Sequence, residues 1–318
     1  MTPGAPGERV APVAAGGALA LASALAFGAT TPLVQRFGRG VGPFTTAALL
    51  YGGAALLSMH AGPDRAESPL RAKDIPRLSA VASLGAVAAP VALAWGLQRT
   101  SGVTASLLLN LEALFTVVLA RVLWSEPIGA RVGAALVAMT AAGALLVGGG
   151  NESGFDSRWG VVAVMVATLA WAADNAVGRP LADRDPTQVV LVKAALGAVA
   201  SASLAGALHE DLPQWPAALA LAACGAGGYG ASLRLYLRAQ RTIGAARTGS
   251  IFACAPFVGA ALAWMLGERI GGITSLAAGA LCALGLWLHL TERHDHEHSH
   301  GDLVHSHPHA LDADHRHH

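Results

Sequence analysis

Charged residues are scarce in this sequence of 318 residues. Lys, Arg, Asp and Glu together make up 13% of it, about half of the share that soluble domains carry. Apolar residues make up 53%, and the mean hydropathy is +0.49. This composition excludes an ordinary soluble domain and indicates a chain that lies mostly in lipid.

An excess of one charge sign, paired cysteines and catalytic motifs are also missing. The 21 Lys and Arg residues face 20 Asp and Glu residues, so we predict no basic surface that would bind nucleic acid. Cys224, Cys254 and Cys282 lie in apolar stretches without CxxC spacing, which argues against a disulfide framework or a zinc site. The sequence has no GxSxG or HExxH pattern and no cofactor loop. We therefore expect a protein that is not an enzyme and that requires no cofactor.

Long apolar stretches take up most of the chain. A helix needs about 20 mostly apolar residues to cross the hydrocarbon core. Ten stretches meet this description, near residues 13–33, 43–60, 78–98, 102–124, 128–148, 159–178, 187–208, 216–237, 244–266 and 271–290. The predicted fold class is an all-α integral membrane protein with ten transmembrane helices.

The positions of Lys and Arg between these stretches predict the orientation. With the N-terminus inside, fourteen of the 21 basic residues fall on the inner side and five on the outer side, while Lys193 and Arg234 lie within spans. Cytoplasmic loops carry the excess of Lys and Arg in membrane proteins. We expect a multi-pass protein of the plasma membrane with both termini in the cytoplasm.

The two halves of the sequence repeat each other. A shift of 142 residues aligns Gln98-Arg99-Thr100 with Gln240-Arg241-Thr242, and Glu126 with Glu268. Each repeat holds five predicted spans, an odd number, so the second repeat must enter the membrane upside down. Inverted repeats are typical of secondary transporters. The predicted regions are an N-terminal segment, a first repeat, a second repeat and a tail, at residues 1–12, 13–148, 159–290 and 291–318.

Short blocks in both repeats form a recognisable pattern. The first repeat holds Thr104–Ala113 and Glu126, and the second holds Ala246–Gly249, Ala255–Phe257 and Gly267-Glu268. These blocks, which lie within residues 13–290, resemble the EamA type of the drug/metabolite transporter superfamily. Asp174-Asn175, Asp185-Pro186 and Lys193 are similar to residues that recur in one EamA subgroup. The resemblance implies ten helices, cytoplasmic ends and the export or exchange of small solutes.

Ionisable side chains inside the predicted spans are the first candidates for the transport site, because each costs at least about 2.5 kcal/mol at the centre of a helix in lipid. Glu112 is the most central. It is either a structural hydrogen-bonding group or a titratable, cation-binding group that faces a central cavity. Asp174 and Lys193 are predicted at matching depths, so they either form a buried ion pair or contact the solute directly. The full set of transport candidates is Glu112, Asp174, Lys193, Asn110, Asn175 and Trp171.

Two further glutamates end the fourth and ninth spans on opposite sides of the membrane. Glu126 and Glu268 lie close in sequence to Arg131 and Arg269. A helix-end ion pair is one interpretation of each glutamate, and a gate is the other.

The last 28 residues differ sharply from the rest of the chain. Ten of the 13 histidines follow Thr291, and many alternate with other residues. Neutral imidazole binds zinc, nickel, cobalt or copper, while the lack of apolar residues predicts disorder when no metal is bound. A solvating tail that is incidental to transport is the alternative. The predicted metal ligands are His294, His296, His298, His300, His305, His307 and His309.

These observations favour a secondary transporter that exports small metabolites or toxic solutes by alternating access. Proton antiport is the leading mechanism, and facilitated exchange is its alternative. A divalent metal transporter, or a permease regulated by metal through the tail, is the alternative function. The expected partners are a small-molecule solute and the lipid bilayer, with no nucleic acid, and a homodimer stays open.

Overall fold

The computed structural model describes residues 6–62, 68–124, 128–148, 155–181, 184–268, 272–291, 294–300 and 303–309. In the last two ranges, which belong to the tail, the description is of the backbone. Almost all of the remainder is helical. The α-helices of the first half are α1 (Pro6–Phe37), α2 (Pro43–Ala61), α3 (Ile75–Ala82), α4 (Ala89–Leu97), α5 (Gly102–Leu108), α6 (Leu111–Trp124) and α7 (Ala130–Gly148). Those of the second half are α8 (Phe155–Gly178), α9 (Pro186–Ala207), α10 (Trp215–Gly225), α11 (Ser232–Ile243), α12 (Ala245–Phe252), α13 (Ala255–Met265) and α14 (Gly272–Leu290).

Seven helical segments within the described ranges are long and apolar enough to cross a membrane. They are Ala14–Phe37, Ala72–Leu97, Gly102–Leu123, Ala130–Val147, Ser157–Leu181, Pro186–Ala207 and Arg247–Met265. Large apolar side chains such as Val137, Val199 and Ile273 stay well exposed on the outside of the helices, as a lipid-facing surface requires. The helical membrane fold is confirmed. The count of ten crossings is not, because the other three predicted spans are shorter or less apolar, and ten stays a prediction.

The arrangement of helices repeats along the chain. Helices α7 and α14 begin and end 142 residues apart, which is the offset found in the sequence. The packing follows the same exchange: α1 packs on α11 as its counterpart α8 packs on α4, and α1 packs on α13 as α8 packs on α6. Helices α2 and α9 pack on each other, and so do α7 and α14. This pattern is the one expected for two repeats that are related by a twofold axis.

Two predicted spans contain a π-helical turn that the sequence did not reveal. The span predicted at 78–98 is interrupted by Ser83–Ala88 between α3 and α4. The span predicted at 216–237 is interrupted at the equivalent place by Ala226–Ala231, between α10 and α11. Such turns insert one residue into a helix and occur frequently at functional sites.

Two other predicted spans are divided into shorter helices. Between α5 and α6 the chain turns at Leu109-Asn110, and Asn110 Nδ2 donates a hydrogen bond of 3.0 Å to the carbonyl of Leu107. Local bonds of this kind compete with the helical backbone pattern. Between α12 and α13 the chain turns just before Pro256, which lies in the first turn of α13 and cannot continue a preceding helix. Continuous helices at 102–124 and 244–266 were therefore wrong predictions.

The core joins both repeats through small and aliphatic residues. Leu50, Leu93, Leu108, Met139 and Leu221 are fully buried in one cluster. A Cβ atom on Gly225 of α10 would overlap the backbone of Leu50 in α2, so glycine is what allows these helices to approach closely.

The tail differs from its prediction. The described backbone forms strands β1 (His294–His300) and β2 (Leu303–His309), which pair antiparallel, where disorder was predicted. Alternation with a period of two residues suits an extended strand, and this pattern was read only as a metal-binding signal.

Candidate functional site

A cavity of about 410 Å³ lies between the two repeats. Helices α1, α2, α6, α8, α9, α11 and α12 and the second π-helical turn contribute to its wall. Its aromatic lining residues are Phe27, Tyr51, Trp171, Tyr229, Tyr236 and Phe252. Its polar lining residues are Glu112, Asn175, Lys193 and Ser232. An apolar wall with a few converging polar groups is the usual composition of a small-molecule site.

The aromatic side chains pack on one another and form a continuous wall. Tyr51 and Tyr229 stack with ring centroids 5.3 Å apart. Trp171 lies 6.3 Å from Tyr229, and Phe27 lies 5.4 Å from Phe252. Aromatic rings in these arrangements offer flat apolar surface to a bound solute.

The first π-helical turn fixes two of these rings. Tyr51 Oη and Trp171 Nε1 both donate hydrogen bonds to the carbonyl oxygen of Gly85, the second at 3.0 Å. Glycine is needed at this position, since a Cβ atom would clash with the carboxylate of Asp174 and lie 2.8 Å from Lys193 Nζ. Gly85 therefore connects the aromatic wall with the charged side of the cavity.

Asp174 and Lys193, which the sequence predicts as a pair, contact each other. Lys193 Nζ in α9 donates to Asp174 Oδ2 in α8. The Asp174 side chain is 7% exposed and that of Lys193 is 23% exposed, and Lys193 lines the cavity. The pair neutralises both charges in the protein interior, while the ammonium group stays accessible from the cavity.

The next residue of α8 holds the central glutamate. Asn175 Nδ2 donates a hydrogen bond of 2.7 Å to Glu112 Oε1 in α6. The amide is neutral, so this bond does not balance the charge of an ionised Glu112. Adjacent residues of α8 thus hold one cationic group and one carboxyl group against the same cavity.

Asn110 occupies the interruption between α5 and α6, and its side chain is buried. Together with Glu112 it lines a second cavity of about 260 Å³. Glu112 therefore lies between the two cavities, immediately after a break in its helix, and such breaks accompany the binding sites of many secondary transporters.

Glutamates also join helices at the end of the bundle that the charge pattern predicts to be outside. Glu268 Oε2 accepts a hydrogen bond of 3.2 Å from the backbone N–H of Val103, which links the second repeat to α5. Glu210, which sequence reasoning missed, accepts from the N–H groups of Phe44 and Thr45 and caps α2. Glu126 lies outside the described residues.

Several lining residues gave no signal in the sequence. Tyr51, Tyr229, Tyr236, Phe27 and Phe252 sit in apolar stretches, where an aromatic residue is ordinarily part of the packing. The glycine-rich stretch around Tyr229 was the one available sign. Among the residues whose side chains the structure describes, no group of three or more His, Cys, Asp or Glu residues could hold a metal ion.

Comparison with known proteins gives consistent matches. Residues 14–148 and 158–291 match the EamA-like transporter family. A probable terminal-alkyne amino-acid exporter of Streptantibioticus cattleyicolor is 33% identical over 130 residues, which are 41% of this chain and 43% of that protein. An uncharacterised transporter of Methanothermobacter thermautotrophicus is 26% identical over 230 residues, which are 70% of this chain and 66% of that protein. The matched regions thus span less than two thirds of the length of either relative.

The fold also has a solved counterpart. A crystal structure of another protein superposes with a TM-score of 0.60 and 20% sequence identity, over 87% of this chain and 96% of the other. This likeness shows a shared fold.

Proposed function

Because the chain belongs to the EamA-like transporter family, we propose that this multi-pass membrane transporter exports a small zwitterionic solute with an apolar side chain. The solute binds in the central cavity and crosses by alternating access. Its carboxylate contacts Lys193, its ammonium group contacts Glu112, and its side chain lies on the aromatic wall.

The placement of charge on α8 carries this proposal. Asp174 holds Lys193 and Asn175 holds Glu112, so a cationic and an acidic group border one cavity of about 410 Å³. Ligand pockets for small molecules begin at about 300 Å³. A zwitterion satisfies both groups at once, whereas a solute with one charge would leave the other group without a partner in a partly dry site.

The name of one relative supports the same class of solute. The Streptantibioticus protein is a probable exporter of a terminal-alkyne amino acid. An amino acid with an apolar side chain has the two charges and the apolar surface that the cavity accommodates.

Alternating access is supported by the repeated architecture. The two halves contribute equivalent helices to the cavity wall, and a break in α5–α6 has its counterpart in α12–α13. Exchange of roles between the halves would open the cavity first to one side and then to the other. Under the predicted topology of ten spans, both termini lie in the cytoplasm.

Glu112 is the proposed coupling group. Its hydrogen-bond partner is a neutral amide, which can remain bonded whether the carboxyl group is ionised or protonated. Competition between a proton and the ammonium group of the solute for Glu112 would couple proton entry to solute export. Facilitated exchange without protons is the alternative mechanism.

The cavity favours an organic solute over a metal ion as cargo. Among the described residues that line it, Glu112 is the single carboxylate, and the ammonium group of Lys193 faces the same space. Divalent cations require several oxygen or nitrogen ligands and are repelled by a fixed cation.

Uptake by everted membrane vesicles tests the proposal, because export from the cell becomes uptake in this orientation. Labelled neutral amino acids should accumulate when the lumen is made acidic, and their decarboxylated amines should not. Glu112→Gln should abolish the response to the gradient, whereas Asp211→Asn, which removes an exposed loop carboxylate, should retain it. Equal uptake of the amino acids and their amines would overturn the zwitterion assignment.

A further inference from the structure

The pairing of β1 and β2 places histidines opposite histidines. His296 lies opposite His307 and His298 lies opposite His305 in the register of the two strands. His294 and His309 form a further opposed pair next to these, whereas His300 lies opposite Leu303. Histidine is thus matched across three neighbouring positions of the ladder.

These opposed positions share one face of the strand pair. Residues i and i+2 of a strand lie on the same face, and residues that are directly opposite have Cβ atoms about 4.5–5.5 Å apart. Four histidine positions, in two adjacent rungs, are therefore gathered within one short patch. The acidic residues Asp295 and Glu297 alternate with them and occupy the other face.

We propose that His296, His298, His305 and His307 form a binding site for one divalent transition-metal ion. Imidazole nitrogen is a preferred ligand of zinc, nickel, cobalt and copper, and four protein ligands complete a tetrahedral structural zinc site. Magnesium, which prefers oxygen ligands, is not expected to compete.

This site goes beyond the proposed transport function and is separate from it. The strands follow α14, the last helix of the second repeat, and none of their residues lines the central cavity. Metal binding by the tail and movement of solute through the cavity can therefore be measured independently.

Zinc and cobalt binding by the full-length protein in detergent tests the proposal, with purification through a tag that contains no histidine. Alanine at His296, His298, His305 and His307 should weaken binding by about a hundredfold or more, since loss of even a supporting contact around a ligand costs about 10- to 100-fold. The visible spectrum of bound cobalt should report four-coordinate geometry in the wild type and lose it in this variant.

A matched control removes the same number of histidines from other places in the tail. Alanine at His300, His315, His317 and His318 leaves both central rungs intact, so the affinity for the first metal ion should stay within a factor of about three. Equal losses in the two variants would show that the number of histidines, not the strand register, decides binding, and would overturn the proposal. Unchanged binding in the first variant would overturn it as well.

Discussion

Breaking the ion pair between Asp174 and Lys193 should destabilise the protein strongly. Replacing one partner leaves an uncompensated charge in the interior, which typically costs about 3–5 kcal/mol. The Lys193 side chain is 23% exposed and borders a cavity, so part of its charge can still be solvated after Asp174→Asn. We expect losses of about 2–4 kcal/mol from Asp174→Asn or Lys193→Met.

Removing both charges should restore much of this loss. The double variant Asp174→Asn/Lys193→Met contains no unpaired charge, and a buried pair that is replaced by neutral groups of similar volume often costs little. Thermal unfolding in detergent is the assay. At about 2–4 °C per kcal/mol for a chain of roughly this size, each single variant should unfold about 5–10 °C below the wild type, with the double variant well above both.

The comparison between single and double variants decides the issue. If the two residues interact as the structure describes, the loss in the double variant is smaller than the sum of the single losses. A double variant that loses the full sum would refute the reasoning, because it would show that each residue acts alone. Asp211→Asn, at an exposed loop position, is the control and should leave the unfolding temperature unchanged.

Three further predictions follow from the site and the tail. Glu112→Gln should lose gradient-driven uptake in vesicles while Glu112→Asp keeps part of it, and full, pH-dependent uptake by the glutamine variant would remove the coupling role. Gly85→Ala should lower the unfolding temperature and impair uptake, because a Cβ there would clash with the ion pair, at about 1–3 kcal/mol for overpacking. The equivalent Gly227→Ala, where a Cβ meets nothing within 4 Å, should be tolerated, and equal effects would contradict the packing argument. Truncation after Leu290 should abolish tight metal binding but preserve metal-free transport, and complete loss of transport by a well-inserted truncation would place the tail in the mechanism.

Features that depend on composition and spacing were predictable from the sequence. The QRT triplet and the glutamates at an offset of 142 predicted the repeat, and the helix boundaries of α7 and α14 reproduce that offset. Matching depths in neighbouring spans predicted that Asp174 and Lys193 pair. The EamA resemblance, confirmed over residues 14–148 and 158–291, rested on similarly local signals.

Features that depend on the crossing of distant helices were not predictable. The bond between Asn175 and Glu112 requires α6 and α8 to approach at one level, and no local pattern specifies this. The π-helical turn at Ser83–Ala88 has an ordinary apolar sequence, so its effect on Tyr51 and Trp171 appears only when the carbonyl of Gly85 is placed. Pro256 could have signalled the break before α13, since proline cannot follow a helical turn without interrupting it.

The most direct test of the central claim is solute uptake by the double variant Asp174→Asn/Lys193→Met in proteoliposomes. The claim is that the ammonium group of Lys193 binds the carboxylate of the solute in the central cavity. The account predicts a protein that is stably folded yet has lost most of its uptake of neutral amino acids, with uptake by Asp211→Asn unchanged. Wild-type uptake by the stable double variant would contradict it, since the charges would then serve packing alone.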